Sequence, residues 1–181
     1  MNRLKQCVVE IQLGGAAGSG FAWDRDVVVT NAHVAHRGQV GVRRADGQVL
    51  PGRVVITDPG RDLTVLEVPG LELPAVRRRD AASLRPGEVL FAIGHPLGVR
   101  HALSSGVLHA VGLLPQGFPV PEAVRRRVWV QADLHLAPGN SGGPLADSEG
   151  RVLGINTMIV AGLALAVPIL EVEVLLRRRA A

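Results

Sequence analysis

Ser141 lies in "LAPGNSGGPLAD", Leu136 to Asp147, where three glycines and two prolines strip the side-chain bulk from around one hydroxyl. A serine hydroxyl is a poor nucleophile until a base takes its proton, and that base must be held in the right tautomer. Ser141 therefore needs a histidine and a carboxylate from elsewhere in the chain. Six histidines are available, at 33, 36, 95, 101, 109 and 135. His33 stands out because "VVVTNAHVA" places it just after a β-branched strand, where a turn can present its ring. Asp62 stands out among the aspartates because "GRDLTVLEV" sets it at the mouth of an apolar strand, which half-buries a carboxylate. Asp58 and Asp80 lie in more polar turns. His36 falls in a loop, His95 opens a "HPLG" turn, and His101, His109 and His135 lack the clustered spacing of a metal site. No cofactor is expected.

These three residues must be positioned by strands. Short apolar runs bounded by Gly, Pro, Asp or Asn recur along the chain, which is the strand signature. They are "CVVEIQL" (7–13), "VVVT" (27–30), "QVGV" (39–42), "RVVIT" (53–57), "LTVLEV" (63–68), "VLFAIG" (89–94), "GVLHAVGLL" (106–114), "VWVQAD" (128–133), "RVLGINTMIV" (151–160) and "LALAV" (163–167). This rhythm predicts an all-β barrel or sandwich. The glycines of "GAAGSGFAW" (15–23) suit a tight hairpin before the His33 strand. Only "PILEVEVLLRRR" (168–179) reads as a helix, with Pro168 at its start and arginines in its last turn. The charged, turn-rich "RRRDAASLRPGE" (77–88) reads as a linker, dividing the chain into lobes at 1–80 and 81–170 with a helix over 171–181.

Composition narrows the alternatives. With 181 residues the chain buries a sizeable core, and Cys7, its one cysteine, excludes an intrachain disulfide. The net charge is +4, with Lys5 the sole lysine and Arg triplets at 77–79, 125–127 and 177–179. No aromatic residues interleave with the triplets, so no nucleic-acid partner is expected; solvated loops and a charged chain end are the reading. No apolar run approaches the ~20 residues of a membrane helix. After Arg3 and Lys5 the apolar stretch is broken at Glu10 and Gln12, so no signal peptide is read; the compartment stays open between cytoplasmic, for the chain as it stands, and exported, for a piece of a longer chain.

The segments "TNAHV", "DLTVLEV" and "GNSGGPL", in the order His, Asp, Ser, resemble the chymotrypsin-fold serine proteases, and more closely their HtrA/Deg branch. "GSGFAW", "LRPGEVLFAIGHPLG", "QADLHLAPGNSGGPL" and "GINTMI" run the same way, so the similarity covers about residues 8 to 170. The resemblance implies two six-stranded β-barrel lobes of chymotrypsin type with a short C-terminal helix. It implies an endopeptidase acting on unfolded or exposed polypeptide segments through an acyl-enzyme. Ser141 would attack the scissile carbonyl, His33 would serve as base and then acid, and Asp62 would orient His33. The N–H groups of Gly139 and Ser141 would form the oxyanion hole, with Gly142 and Gly143 clearing space on the histidine side. Thr157 would neighbour Asp62, and Met158, Ile159 and Val160 would pair with the substrate backbone.

Against that family pattern, the sequence ends at Ala181 without the PDZ domain many members carry, as a protease-only member or as a piece of a longer chain, and it starts almost inside the first strand, so a monomer is expected. Asn140 carries no charge to pair with a freshly cleaved N-terminus, which disfavours activation by that route. The expected primary pocket, walled by Leu136 to Asn140, Met158 to Val160 and Gly162 to Ala166, is uncharged. With Ala164 reducing its depth, a preference for small aliphatic P1 residues is expected. The reading from another class is a non-proteolytic peptide-binding or chaperone-like module on the same fold.

Overall fold

The computed structural model describes residues 1–180. Twelve strands form two closed antiparallel barrels. The first is built from β1 (Val8–Leu13), β2 (Ala16–Asp24), β3 (Val27–Thr30), β4 (Gln39–Arg43), β5 (Val49–Asp58) and β6 (Leu63–Glu67). Its order is β1-β2-β3-β6-β5-β4, closed by β1 against β4. The second is built from β7 (Val89–Gly94), β8 (Ala102–Gly112), β9 (Trp129–Asp133), β10 (Pro144–Asp147), β11 (Val152–Val160) and β12 (Leu163–Pro168). Its order is β10-β11-β12-β9-β8-β7, closed by β10 against β7. Among the described residues three α-helices complete the fold, α1 (Asn2–Gln6), α2 (Glu122–Arg125) and α3 (Leu170–Ala180), with short 3-10 turns at Ala81–Ser83 and Pro96–Gly98. No described helix is long and apolar enough to cross a membrane.

The strands form where β-branched residues can alternate between a packed interior and the outer face. Val28, Val29, Leu63, Val65 and Leu66 are fully or almost fully buried in the first barrel. Trp129, Leu145, Leu153 and Ile155 do the same in the second. One continuous apolar cluster runs from Phe21 and Leu66 into Ile93, Trp129 and Ile155, and so joins the lobes. The cleft between the barrels is therefore backed by a shared core, which keeps groups from the two lobes in register across it.

Two strands carry no apolar-run signature. The glycine-rich 15–23 enters a tight hairpin through the turn at 14–15, but most of it is strand β2, with Ala16–Phe21 paired to β1 and Phe21–Asp24 to β3. β10 begins on a proline and ends on an aspartate, and its interior is only Leu145 and Ala146. The C-terminal helix begins at Leu170, after Pro168 has closed β12. Its first-turn acids Glu171 and Glu173 favour the dipole, and Val172 and Leu175 pack on the core. Ala181, the end of the expected helix, lies outside the described residues.

The arginine triplets are more structural than solvated loops would suggest. Arg78 stacks over Trp23 at 4.2 Å, and Arg79 pairs with both Glu88 and Asp147. The linker is also pinned by its backbone, since Val152 donates to the Arg77 carbonyl and Arg79 donates to that of Val152. Arg127 lies over Trp129 at 4.6 Å and donates to the Arg61 carbonyl across the lobes.

Candidate active site

His33 sits on a helical turn that follows β3. Asn31 starts the turn, with its carbonyl accepting from Val34 and Ala35. Asp62 is delivered by a second turn, between β5 and β6. Asp58 organises that turn by accepting from the Arg61 N–H at 3.0 Å and from its guanidinium at 2.6 Å. Burial raises the Asp58 carboxyl but these Arg61 contacts outweigh it, and the net effect is a lowered pKa. Asp58, one of the weaker candidates by sequence, thus has a structural place. Asp62 itself takes φ 55°, a left-handed conformation that aspartate tolerates better than most residues.

The two turns meet in a bidentate contact. Asp62 Oδ2 accepts from His33 Nδ1 at 2.7 Å, and Oδ1 accepts from the His33 backbone N–H at 2.9 Å. With the carboxylate on Nδ1, the ring proton is held there and Nε2 is left as the basic nitrogen. The imidazole is about half exposed while the aspartate side chain is 16% exposed. Thr157, expected beside Asp62, reaches its segment through Asn31: Asn31 Nδ2 donates to the Asp62 carbonyl at 2.9 Å and to Thr157 Oγ1 at 3.2 Å. Asn31 was not picked out by sequence, although it stands two residues before His33.

Ser141 shares a cavity of about 220 Å³ with His33, Val34 and Gly139. Its Oγ makes a long contact, 3.4 Å, to the Thr157 carbonyl. Among the described residues Ser141 Oγ makes no hydrogen bond to His33; turning it from Thr157 to the ring takes a side-chain rotation, and such a nucleophile–base bond commonly tightens only when substrate binds. The preceding residues Ala137 to Asn140 form a tight turn in which Asn140 N donates to the Ala137 carbonyl at 3.0 Å. Pro138 in its second position and Gly139 at φ 104° in its third make it a type II turn. A Cβ at Gly139 would come within 2.5 Å of the His95 carbonyl. Among the described residues, neither the Gly139 nor the Ser141 N–H donates to another group. Gly142, at φ 82°, passes so close to β2 and β3 that a Cβ would meet the Ser19 carbonyl and Thr30 Oγ1.

On the other side of Ser141 a cavity of about 300 Å³ is lined by the 136–138 turn, Asn140, Ser141, Thr157, Met158 and Ile159. No charged residue lines it. Val160 and Ala164, expected on the same wall, are not among its lining. Ala164 is buried on β12, paired with Ile159 and with Ala132. The pairing of β11 with β10 ends at Ile155, while its pairing with β12 continues to Val160. One edge of Met158 to Val160 is therefore open beside the cavity.

Behind the Gly139 turn lies His95, 3% exposed. Burial, then the charge of His101, lowers its pKa from 6.5 to about 4; Arg100 and Arg43 act in the same direction and Glu10 opposes them. Protonation therefore favours the unfolded chain. The stability associated with neutral His95 is complete above about pH 6.5 and is lost as the pH falls through about 4, an effect on the order of 3 kcal/mol. Urea unfolding between pH 4 and 7 should show this loss, and His95→Asn should flatten it. An unchanged pH slope in His95→Asn would refute the assignment.

Among the described residues no group of three or more His, Cys, Asp or Glu side chains is arranged to hold a metal ion. Residues 18–155 match the trypsin-like peptidase domain family. The chain is 41% identical over 157 residues to a putative serine protease, HhoB, of Synechocystis sp., covering 84% of this chain and 37% of that protein. It is 40% identical over 161 residues to a probable periplasmic serine endoprotease, DegP-like, of Pseudomonas putida, covering 84% and 32%. The chain thus spans about a third of the length of these relatives. Among solved structures it resembles the Rv3671c protease of M. tuberculosis in its inactive form, with a TM-score of 0.86, 27% identity and coverage of 99% and 92%. It also resembles the HtrA-type protease AlgW with a tripeptide, with a TM-score of 0.83, 30% identity and coverage of 97% and 60%.

Proposed function

Because this chain belongs to the trypsin-like peptidase domain family, in its HtrA/Deg branch, we propose that it is the catalytic domain of an endopeptidase that cleaves exposed polypeptide segments through Ser141, His33 and Asp62. The observation that carries the reading is the bidentate Asp62 contact, which fixes both the ring and the backbone of His33 beside the Ser141 cavity. In this mechanism His33 Nε2 takes the Ser141 proton as Oγ attacks the scissile carbonyl. Asp62 stabilises the imidazolium, and His33 then returns the proton to the leaving amine. The N–H groups of Gly139 and Ser141 receive the negative charge on the carbonyl oxygen, each donor being worth roughly 3 kcal/mol in the transition state. The test is labelling with a fluorophosphonate probe followed by peptide mapping. Labelling at Ser141 supports the reading. A folded protein that binds unfolded polypeptide but takes no label would point to a peptide-binding module instead.

Substrate is placed as an added strand on the open edge of Met158 to Val160, with the P1 side chain in the cavity beyond Ser141. The uncharged lining disfavours Lys and Arg, because a buried ammonium or guanidinium without a carboxylate partner costs several kcal/mol. Met158 and Ile159 make the cavity wall aliphatic. Small aliphatic P1 residues are favoured, with each fitting methylene contributing ~1–3 kcal/mol. Mass spectrometry of casein digests should find most cuts after Val, Ala or similar residues. A majority after Arg, Lys or Phe would overturn the pocket assignment.

A further inference from the structure

One buried serine outside the three reacting residues is bound to both halves of the oxyanion turn. Ser19, on β2 of the first barrel, is 0% exposed. Its hydroxyl donates to the Gly139 carbonyl at 2.6 Å, and its backbone N–H donates to the Ser141 carbonyl at 2.8 Å. The Ser19 Oγ in turn accepts from the His95 backbone N–H at 3.0 Å, with His95 Nδ1 a further 3.3 Å contact. The Ser19 carbonyl accepts from Thr30 Oγ1 at 2.7 Å, at the end of the strand that leads to His33.

Gly139 and Ser141 both line the cavity beside His33, and among the described residues neither of their N–H groups donates to another group. Anchoring the Gly139 and Ser141 carbonyl pair on Ser19, with the Ala137–Asn140 turn closed by its own hydrogen bond, narrows the φ and ψ open to both residues and so the directions their N–H groups can take. It also fixes that pair relative to the first barrel, which carries His33. A glycine at φ 104° has no side chain with which to hold itself in place. Its carbonyl has the Ser19 hydroxyl at 2.6 Å and only a 3.4 Å contact from the His95 N–H besides. We infer that Ser19 is a positioning residue for catalysis: its hydroxyl clamps the Gly139 carbonyl so that the Gly139 and Ser141 N–H groups converge on the developing oxyanion.

This inference rests on the reading of Ser141 as the nucleophile, and the experiment separates the two. The substrate is an internally quenched peptide built on a mapped casein cleavage site, and the second probe is a peptidyl aldehyde, whose adduct with Ser141 places an oxyanion in the hole. Small misplacements of catalytic groups cost up to about 10²-fold. Ser19→Ala is therefore expected to lower kcat by roughly 10–100-fold, to weaken the aldehyde by a similar factor, and to leave KM within about threefold. A serine that merely filled space between the lobes would not weaken the aldehyde selectively. Ser19→Cys, which keeps a poor donor at the same position, should fall between wild type and Ser19→Ala, and it supplies the same comparison if Ser19→Ala folds poorly. Labelled, active wild type alongside Ser19 variants with unchanged kcat and aldehyde affinity would overturn the clamp alone. Wild type that took no fluorophosphonate would overturn the nucleophile reading itself.

Discussion

Ser141→Ala is expected to lower kcat on the order of 10⁶-fold while the protein stays folded. The two halves of this expectation come from different atoms of one residue. The Ser141 hydroxyl makes only the long 3.4 Å contact to the Thr157 carbonyl, so deleting it breaks little. The Ser141 backbone, which accepts from Ser19 N–H, is untouched by the substitution. Without Oγ, however, no acyl-enzyme forms, and the base has no proton to take. His33→Ala should cost nearly as much, because residues that act as a unit do not contribute additively. The measurement is casein cleavage by purified variants, with circular dichroism and thermal melts to verify folding. Ser141→Ala cleaving casein at the wild-type rate would remove Ser141 from the mechanism.

What local sequence could reveal, and what it could not, follows from the range of the interactions. Runs such as "VVVT" and "VLFAIG" coincide with β3 and β7 because alternating burial of branched side chains is written in adjacent residues. The glycines of β2 carry no such pattern. They are there because β2 passes under other elements: a Cβ on Gly18 would strike Val34, and one on Gly20 would strike Val28. Such close approaches involve residues up to sixteen positions away, and a composition that spells "turn" locally is here a strand. The same range explains Asn31, Ser19 and His95. Each earns its place through a partner on another turn or in the other lobe (Thr157, Gly139), and nothing beside it in the chain announces that partner. The cavity wall shows the converse limit. The family resemblance puts Ala164 on the pocket wall, whereas the cavity beside Ser141 is lined without it and Ala164 is buried on β12 as the cross-strand partner of Ile159.

The second large effect is expected from Asp62→Asn, with a loss in kcat of about 10⁴-fold and little change in melting temperature. The substitution is nearly isosteric, and asparagine accepts the left-handed backbone at position 62 as readily as aspartate does. The fold therefore has no reason to move. The chemistry changes because the two oxygens of Asp62 are committed to different partners. Oδ1 sits 2.9 Å from the His33 backbone N–H, which is a donor in every protonation state and requires an oxygen there. The asparagine amide must then turn its NH₂ toward the ring, 2.7 Å away, where Oδ2 now accepts from Nδ1. An NH₂ facing Nδ1 demands a lone pair on that nitrogen, so the ring proton moves to Nε2. His33 then meets Ser141 with a proton rather than a lone pair and cannot act as its base. The carboxylate that would stabilise an imidazolium is gone as well. Steady-state kinetics on the quenched peptide, paired with thermal melts, will measure both sides of this expectation. A variant that keeps wild-type kcat would show that Asp62 does not set the tautomer of His33, whereas a variant that loses its fold would show that the bidentate contact holds the two turns together.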